Sequence, residues 1–437
     1  MKSSAFFRAC SIAARCAFLC AFLGLLASVP ALADEHDDAA LLLADKAPAT
    51  VAQASNWQVF VEGAYGGDMR RVDRTSQQNH RLSFDLQYDN AFAPDWRAIF
   101  ADRLDVDSPP QVGNQNSSIN TIKEAYVSWQ ARSDTILDLG RINARNGVAT
   151  GYNPTDYFRA DAVRSIVSVD PGSLKINRQG SAMLRGQTLW ETGSVTAIFS
   201  PRLAEQANSA AFNPDLGATN HQNRWLISVS QKFNDSINPQ FLLYKEADLP
   251  PQLGFNLTGL MNDSTVAYLE WSGGRAPSLL SQAVDRQGLP HVDDSAFRSR
   301  VSAGLTYSTS NKMSLTAELE YNGGGQNQDA WNAIGHGPPP IYRLYRNWLQ
   351  IAQEPPTKRR LFLSARWQDA MINHLDIGAM AYFDAADYSR LSWLEARYHW
   401  QRAELAVQWL RYSGQPWSEF GAAPQIQSWQ LVLRRYF

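Results

Sequence analysis

Apolar and polar residues alternate along this chain from Trp57 onward, and this two-residue period restricts the fold more than any other feature. The clearest run spans 313–321, where Met, Leu, Ala, Leu and Tyr share one face and Ser, Thr and two Glu share the other. A helix repeats every 3.6 residues and would scatter those glutamates around its surface. The wall of a membrane barrel needs apolar residues towards lipid and polar residues towards the lumen. The alternation therefore predicts an all-β fold, a transmembrane antiparallel β-barrel.

Counting the alternating runs gives about 18 strands. The runs that begin at 194 and 253 are the weakest, and without them the count falls to about 16. The predicted strands cover 57–66, 81–89, 95–104, 121–130, 134–142, 181–190, 194–200, 223–233, 237–246, 253–260, 264–272, 297–309, 312–321, 359–369, 374–383, 389–400, 402–412 and 427–437.

The connections between these strands test the count independently. Outer-membrane barrels join their strands by short periplasmic turns and longer extracellular loops, in strict alternation. Every second connection here is tight, whereas the longest of the others are 143–180, 201–222, 273–296 and 322–358. A soluble β-sandwich has no reason to alternate in this way. The pattern therefore predicts an even number of strands with both ends of the barrel sheet in the periplasm.

The first 33 residues have the pattern of a secretory signal peptide. Three basic residues accompany an apolar run over 17–29, and Ala31-Leu32-Ala33 is the small-x-small pattern that signal peptidase cleaves. We expect 1–33 to be removed, 34–56 to form a short periplasmic lead, and 57–437 to form the barrel. All three cysteines lie within 1–33, so the mature chain has no thiol for disulfide or metal chemistry.

Composition excludes two further classes of protein. The mean hydropathy is −0.34, and the mature part has no apolar run long enough for a membrane helix. Removing 1–33 takes away basic residues and no acidic ones, so the mature chain is acidic and a nucleic-acid partner is not indicated. The 14 tryptophans instead fit the aromatic girdles that meet lipid headgroups.

The last strand ends at Phe437, after the alternate apolar residues Trp429, Leu431 and Leu433. This resembles the C-terminal signature of outer-membrane proteins, in which a terminal Phe closes the last strand. Arg435 departs from that signature, which usually has an aromatic or apolar residue there. The resemblance implies that Phe437 is read by the barrel assembly machinery, and that outer-membrane lipid and lipopolysaccharide surround the protein.

A second resemblance involves the segment from Leu139 to Tyr157. Leu139-Gly140-Arg141-Ile142, then Gly147, then Asn153-Pro154-Thr155-Asp156-Tyr157 resembles a strand-then-loop pattern of large porins and alginate-export-type barrels. In those barrels a long inward loop follows an early strand. The resemblance implies that 143–180 folds into the lumen, and it says nothing of the substrate.

A loop that folds into a wide barrel narrows the pore, and this loop is rich in arginine. Guanidinium groups bind carboxylate or phosphate through paired hydrogen bonds, so we expect a positive constriction that attracts anions. Alternatively, the arginines pair with Asp85, Glu124, Glu270, Glu318, Glu320 and Glu395 in structural networks. The candidate residues are Arg97, Arg103, Arg141, Arg145, Arg159, Arg164, Arg178, Arg185, Arg298, Arg300 and Arg366.

The loop over 322–358 contains an aromatic and basic run formed by Tyr342, Arg343, Tyr345, Arg346 and Trp348. Aromatic faces with interleaved arginines suit sugar stacking and contact with an acidic polysaccharide. Packing of a plug over the pore is the alternative use of the same residues.

Three functions follow from these features. The first is a channel that passes small anionic solutes or exports an acidic exopolysaccharide. The second is a plugged barrel whose loops bind polysaccharide at the cell surface. An enzyme is the least favoured, because the seven histidines are scattered and no HExxH or GxSxG motif occurs. No cofactor is expected, and the sequence leaves the oligomeric state open.

Overall fold

The chain forms one closed antiparallel sheet of 18 strands. The structure is a computed structural model that describes residues 56–110, 116–234, 236–247, 249–290 and 293–437. Each strand pairs with its neighbours in sequence, and the first strand also pairs with the last, which closes the barrel. The expected signal peptide at 1–33 and all but the end of the 34–56 lead lie outside the described residues.

The strands are β1 Trp57–Arg70, β2 Ser76–Ala93, β3 Trp96–Ser108, β4 Ser118–Arg132, β5 Thr135–Ile142, β6 Ser181–Trp190, β7 Gly193–Ser200, β8 Arg224–Gln231, β9 Gln240–Glu246, β10 Gln252–Asn262, β11 Thr265–Ala276, β12 Ala296–Ser308, β13 Met313–Asn322, β14 Arg359–Trp367, β15 Leu375–Asp384, β16 Arg390–His399, β17 Ala403–Ser413 and β18 Gln425–Tyr436. All the predicted strands are confirmed, and the alternative count of 16 is wrong. The largest boundary difference is in β2, which begins at Ser76 instead of 81. Residues 76–80 are mostly polar, so the two-residue period does not mark them as membrane-facing strand.

Burial follows the predicted alternation. In β13, Thr316, Glu318 and Glu320 are buried on the lumen side, whereas Leu319 and Tyr321 are exposed on the lipid side. Aromatic side chains cluster at the periplasmic strand ends, for example Trp57 against Tyr88 with ring centroids 4.3 Å apart and Trp96 stacked on Trp129 at 5.5 Å. These pairs form the girdle that the sequence predicted. No helix in the described ranges is long and apolar enough to cross a membrane.

Short helices occupy the extracellular loops, and the sequence pattern did not predict them. They are α1 Pro171–Ile176, α2 Leu216–Thr219, α3 Leu279–Asp285, α4 Gln328–His336 and α5 Pro339–Ala352. Local sequence explains their starts: Asn327 caps α4 by accepting from the Ala330 N–H, and Pro339 occupies the first turn of α5, where its missing N–H is not needed. Helices α3, α4 and α5 share one apolar core.

Candidate channel constriction

The loop 143–180, here called the crossing loop, spans the barrel lumen. It leaves β5 and returns to β6, yet its middle is bonded to β11, β12, β13 and β15. Those strands lie five or more places away around the barrel from β5 and β6. A loop can contact both sides of a closed barrel in this way only by passing through its interior. The resemblance that implied an inward loop is therefore matched by the fold.

Two carboxylates on the far wall hold the crossing loop. Glu270 of β11 accepts the N–H groups of Val148 at 2.9 Å, Ala149 at 3.0 Å and Thr155 at 2.7 Å. The Thr155 hydroxyl also donates to Glu270, at 2.9 Å. The side chains of Glu270 and Thr155 are both buried. Backbone donors from one short segment thus converge on a single charged acceptor, and such charge-assisted hydrogen bonds are the strong kind.

Glu318 of β13 holds the next part of the same segment. It accepts from the N–H groups of Thr150 at 2.8 Å and Tyr152 at 2.9 Å, and from the Tyr268 hydroxyl at 2.7 Å. The loop carbonyls are bonded as well, since Ser302 donates to the Tyr152 oxygen at 2.6 Å. The backbone of 148–155 is therefore bonded to the far wall through both its donors and its acceptors.

Gly147 allows the loop to approach Glu270 this closely. Its φ is +101°, a conformation that side chains rarely adopt, and a Cβ at this position would lie 2.5 Å from Glu270 Oε2. We expect Gly147→Ala to lower stability by about 1–2 kcal/mol or to displace the loop from Glu270. Heat-modified mobility on a gel and protease sensitivity at 143–180 measure this change. Gly63→Ala is the control, because no atom lies within 4 Å of a Cβ at that position. Equal stability and protease sensitivity of the two variants would contradict the close approach of the crossing loop to Glu270.

A second extracellular loop, 323–358, rests on the crossing loop; we call it the capping loop. Glu354 of this loop forms an ion pair with Arg159 of the crossing loop and lies 3.4 Å from Arg300 on β12. Tyr152 donates its hydroxyl to the same carboxylate at 2.6 Å. Burial alone would raise the pKa of Glu354, but the two arginines outweigh it and hold this pKa below its ordinary value. The buried Glu354 carboxylate therefore joins the capping loop to the crossing loop and to β12 of the barrel wall.

The aromatic run of the capping loop is mostly used for packing. Tyr345 is fully buried and donates its hydroxyl to the Pro356 carbonyl at 2.8 Å. It belongs to the apolar core of α3, α4 and α5 with Leu279 and Trp331, and Tyr342 and Trp348 pack against the same core. Each large apolar side chain buried here contributes about 1.5–3 kcal/mol. Arg346 donates to the Glu419 carbonyl at 2.8 Å, and Arg343 is exposed.

Several of the candidate arginines are buried or half-buried and form ion pairs or hydrogen bonds within the protein. Arg103 contacts Glu62 at 3.0 Å and Asp105 at 2.9 Å in a network that also includes Asp85 and Lys123. Arg178 forms a two-pronged pair with Asp156, at 2.7 and 3.0 Å. Three others bind backbone carbonyls, and these are Arg159, Arg164 and Arg298. These residues act as supports for the wall and the loops.

A smaller group of candidate arginines stays accessible. Arg145 is exposed on the crossing loop, the Arg366 side chain is 62% exposed beside Asp170, and Arg185 is 27% exposed beside Asp138. Arg97 pairs with Asp89 at the periplasmic end of β3. Arg141 differs from all of these: it is buried, and neither terminal nitrogen has a hydrogen-bond partner among the described residues.

Sequence reasoning did not assign the residues that hold the loop. The alternative of structural networks pairs Glu270 and Glu318 with arginines, but both carboxylates accept backbone N–H groups of the crossing loop instead. Glu320, by contrast, does pair with an arginine, Arg360, at 2.6 Å. The sequence shows only that each glutamate lies on the lumen face of a strand distant from the loop along the chain. That position does not identify the group that the glutamate binds. Among the described residues, no group of three or more His, Cys, Asp or Glu side chains could hold a metal ion.

No family model and no curated protein matches the chain. Among solved structures it is similar to Acinetobacter baumannii OccAB1, with a TM-score of 0.55 and 10% identity over 87% of this chain and 96% of that one. A. baumannii OccAB2 gives a TM-score of 0.54 and 11% identity over 87% and 98%. Pseudomonas aeruginosa OpdQ gives 0.53 and 10% over 88% and 99%.

These neighbours are outer-membrane porins, and at such low identity the likeness concerns the fold. It agrees with the closed sheet, the lipid-facing alternation and the aromatic girdle described above. The chain is therefore a multi-pass β-barrel of the outer membrane with the fold of the outer-membrane porins.

Proposed function

We propose that the protein is an outer-membrane diffusion channel for small anionic solutes, narrowed by the crossing loop. The observation that carries this proposal is the attachment of 148–155 to Glu270 and Glu318 across the lumen. A loop fixed to both sides of a barrel reduces its open cross-section permanently, which suits selection among small solutes. The porin fold of the neighbours supports a channel as the general class.

The preference for anions rests on the accessible arginines. Arg145 has no carboxylate within ion-pair distance among the described residues, and the Arg366 side chain stays largely exposed although it contacts Asp170. A guanidinium that is accessible to water can exchange its partners for a carboxylate solute. The buried arginines, such as Arg103 and Arg178, are already neutralised and contribute little to the field at the pore.

Export of an acidic exopolysaccharide is less favoured, because the crossing loop narrows the lumen and a polymer needs a wide continuous passage. Surface binding of polysaccharide by the capping loop is also less favoured. Tyr345 is buried and Tyr342 packs in the core of α3, α4 and α5, so neither presents a free ring face for a sugar. A binding role would depend on Arg343 and other exposed residues instead.

Single-channel recording of the refolded protein in planar bilayers tests the proposal. We expect small discrete conductance steps and, under a salt gradient, a reversal potential that indicates anion preference. Cation preference would contradict the anionic substrate class, and a silent barrel would favour the plugged, polysaccharide-binding alternative.

We expect Arg145→Glu to shift the anion-to-cation permeability ratio towards cations by about tenfold. Reversing a charge beside an aqueous pore changes the energy of a passing ion by about 1–2 kcal/mol. Reversal potentials under a salt gradient measure the ratio. Arg74→Glu, in the exposed 71–75 turn, makes the same charge change outside the crossing loop and should leave the ratio unchanged. Equal shifts in both variants would show that Arg145 has no special place in the ion path.

A further inference from the structure

The lipid-facing surface of the barrel has arginines at the extracellular ends of three strands. They are Arg359 of β14, Arg390 of β16 and Arg411 of β17. Because side chains alternate along a strand, each points away from a neighbour that lies inside the barrel. Those inward neighbours are Arg360, which pairs with Glu320, and Leu391 and Tyr412, which pack in a lumenal cluster.

These three side chains are exposed and carry uncompensated charge. Within the described part of the chain, Arg359 and Arg411 make no side-chain hydrogen bond or ion pair, and Arg390 donates only to the Ser413 hydroxyl, at 3.0 Å. Arginines of the lumen, such as Arg103, are by contrast surrounded by carboxylates. The outward arginines therefore lack the protein partners that the inward ones have.

The sheet register places the three charges near one another. Arg390 pairs across β16 and β17 with Ser413, which puts Arg411 at the diagonal position, about 7–8 Å away between Cα atoms. Leu361 and Arg390 both pair with Phe383, so Arg359 lies two strands from Arg390 and two residues nearer the extracellular end, about 12 Å away. By the same register Arg359 is about 20 Å from Arg411. Like charges on one surface repel, so a ligand with more than one anionic group would stabilise the arrangement.

The surroundings indicate what kind of anion this is. From β14 to β18, the outward positions of the described strands contain no aspartate or glutamate. Apolar side chains such as Leu361, Leu394 and Trp409 lie on the same face, towards the periplasm, in the band that contacts lipid tails. An anion bound by the arginines therefore lies at headgroup level in the outer leaflet.

We infer that Arg359, Arg390 and Arg411 form a binding surface for the phosphate groups of the outer-leaflet glycolipid, lipopolysaccharide. Guanidinium groups bind phosphate through paired hydrogen bonds and are only weakly hydrated, which suits them to this interface. The inference uses the outward face alone and does not depend on the proposed channel function.

The test compares the parent protein with the triple variant Arg359→Gln/Arg390→Gln/Arg411→Gln. Native mass spectrometry of the detergent-solubilised barrel, titrated with purified bisphosphorylated lipid A, measures the affinity. A basic residue near an anionic membrane surface is worth about 1 kcal/mol, so we expect binding about a hundredfold weaker in the triple variant. Affinity equal to that of the parent would overturn the inference.

Three comparisons make the result specific. Arg275→Gln removes a single exposed, outward arginine at the extracellular end of β11, away from the other three, and should bind as the parent does. Substitution of all three residues by lysine keeps the charge and should retain most of the affinity, which separates charge loss from misfolding. The parent should also prefer lipid A to phosphatidylglycerol and to dephosphorylated lipid A. Equal binding of any of these lipids, or equal loss in Arg275→Gln, would refute a dedicated glycolipid site.

Discussion

Glu318→Ala is expected to release the crossing loop and to raise the single-channel conductance of the barrel. The substitution leaves the N–H groups of Thr150 and Tyr152 and the hydroxyl of Tyr268 without their acceptor. Each buried donor left unsatisfied costs about 1–3 kcal/mol, so the far-wall attachment loses several kcal/mol while the strand ladder of β13 remains. Conductance in planar bilayers and protease cleavage within 143–180 should increase together.

A matched substitution separates this effect from general loss of a lumenal charge. Glu395 also faces the lumen, but it accepts hydrogen bonds from Arg397 and Gln408, and none joins it to the crossing loop among the described residues. We expect Glu395→Ala to keep the parent conductance. Glu318→Gln, which retains one carbonyl acceptor, should show an intermediate effect. An unchanged conductance in Glu318→Ala would mean that this carboxylate does not control the pore.

The second large effect is expected from Arg159→Ala, which leaves Glu354 as a buried carboxylate without its closest partner. Breaking a buried ion pair from one side costs about 3–5 kcal/mol. Because Glu354 joins the capping loop to the crossing loop, the loss should appear as early detachment of the capping loop in hydrogen exchange and limited proteolysis. The double variant Arg159→Met/Glu354→Gln removes the unpaired carboxylate. Arg300 keeps its hydrogen bond to Gln252, so the variant should recover part of the protection, although Arg300 loses its carboxylate partner. A double variant as damaged as Arg159→Ala would contradict the role of the charge.

The same ion pair gives a pH dependence. The pKa of Glu354 in the folded protein lies below its ordinary value of 4.5, so the pair contributes fully above that value. Its contribution is lost as the pH falls below 4.5 towards the lower folded pKa. The protection factors of the capping loop, which are exchange rates corrected for the fall of the intrinsic rate with pH, should therefore decrease on acidification in the parent and depend less on pH in Arg159→Met/Glu354→Gln. Identical pH profiles would refute this assignment.

The period of the sequence was sufficient to predict the barrel, because lipid on one side and a polar lumen on the other impose a two-residue pattern on every strand. The strand run at 181–190 was predicted to the residue, since Gly180 and Glu191 both lie outside the alternation. The alternation of tight turns with long loops predicted the topology, because outer-membrane barrels have short periplasmic turns and longer extracellular loops. Local sequence contains caps for the loop helices, such as Asn327, but α1 to α4 are too short for a clear helical period. The 14 residues of α5 are amphipathic, but they contain the aromatic and basic run that was interpreted as a binding surface or plug.

The constriction could be predicted only in part. The arginine-rich composition of 143–180 was visible, but which arginines are neutralised depends on contacts between distant segments. Arg178 meets Asp156 within the loop, whereas Arg159 meets Glu354 from the capping loop, and no sequence spacing distinguishes the two cases. The attachment to Glu270 uses backbone N–H groups, which every residue type but proline supplies and which leave no pattern in the sequence. The accessible arginines are consequently fewer than the composition suggested.

The central claim is that the crossing loop lies against the far wall of the lumen, and a designed disulfide tests it most directly. A Cβ at Gly254 of β10 lies 3.1 Å from the Thr155 Cγ2, and the barrel has no cysteine of its own after residue 33. Thr155→Cys combined with Gly254→Cys should form a disulfide on mild oxidation of the folded protein in membranes, and oxidation should leave the conductance unchanged. Failure to cross-link, or a large fall in conductance on oxidation, would show that the loop does not rest across the lumen.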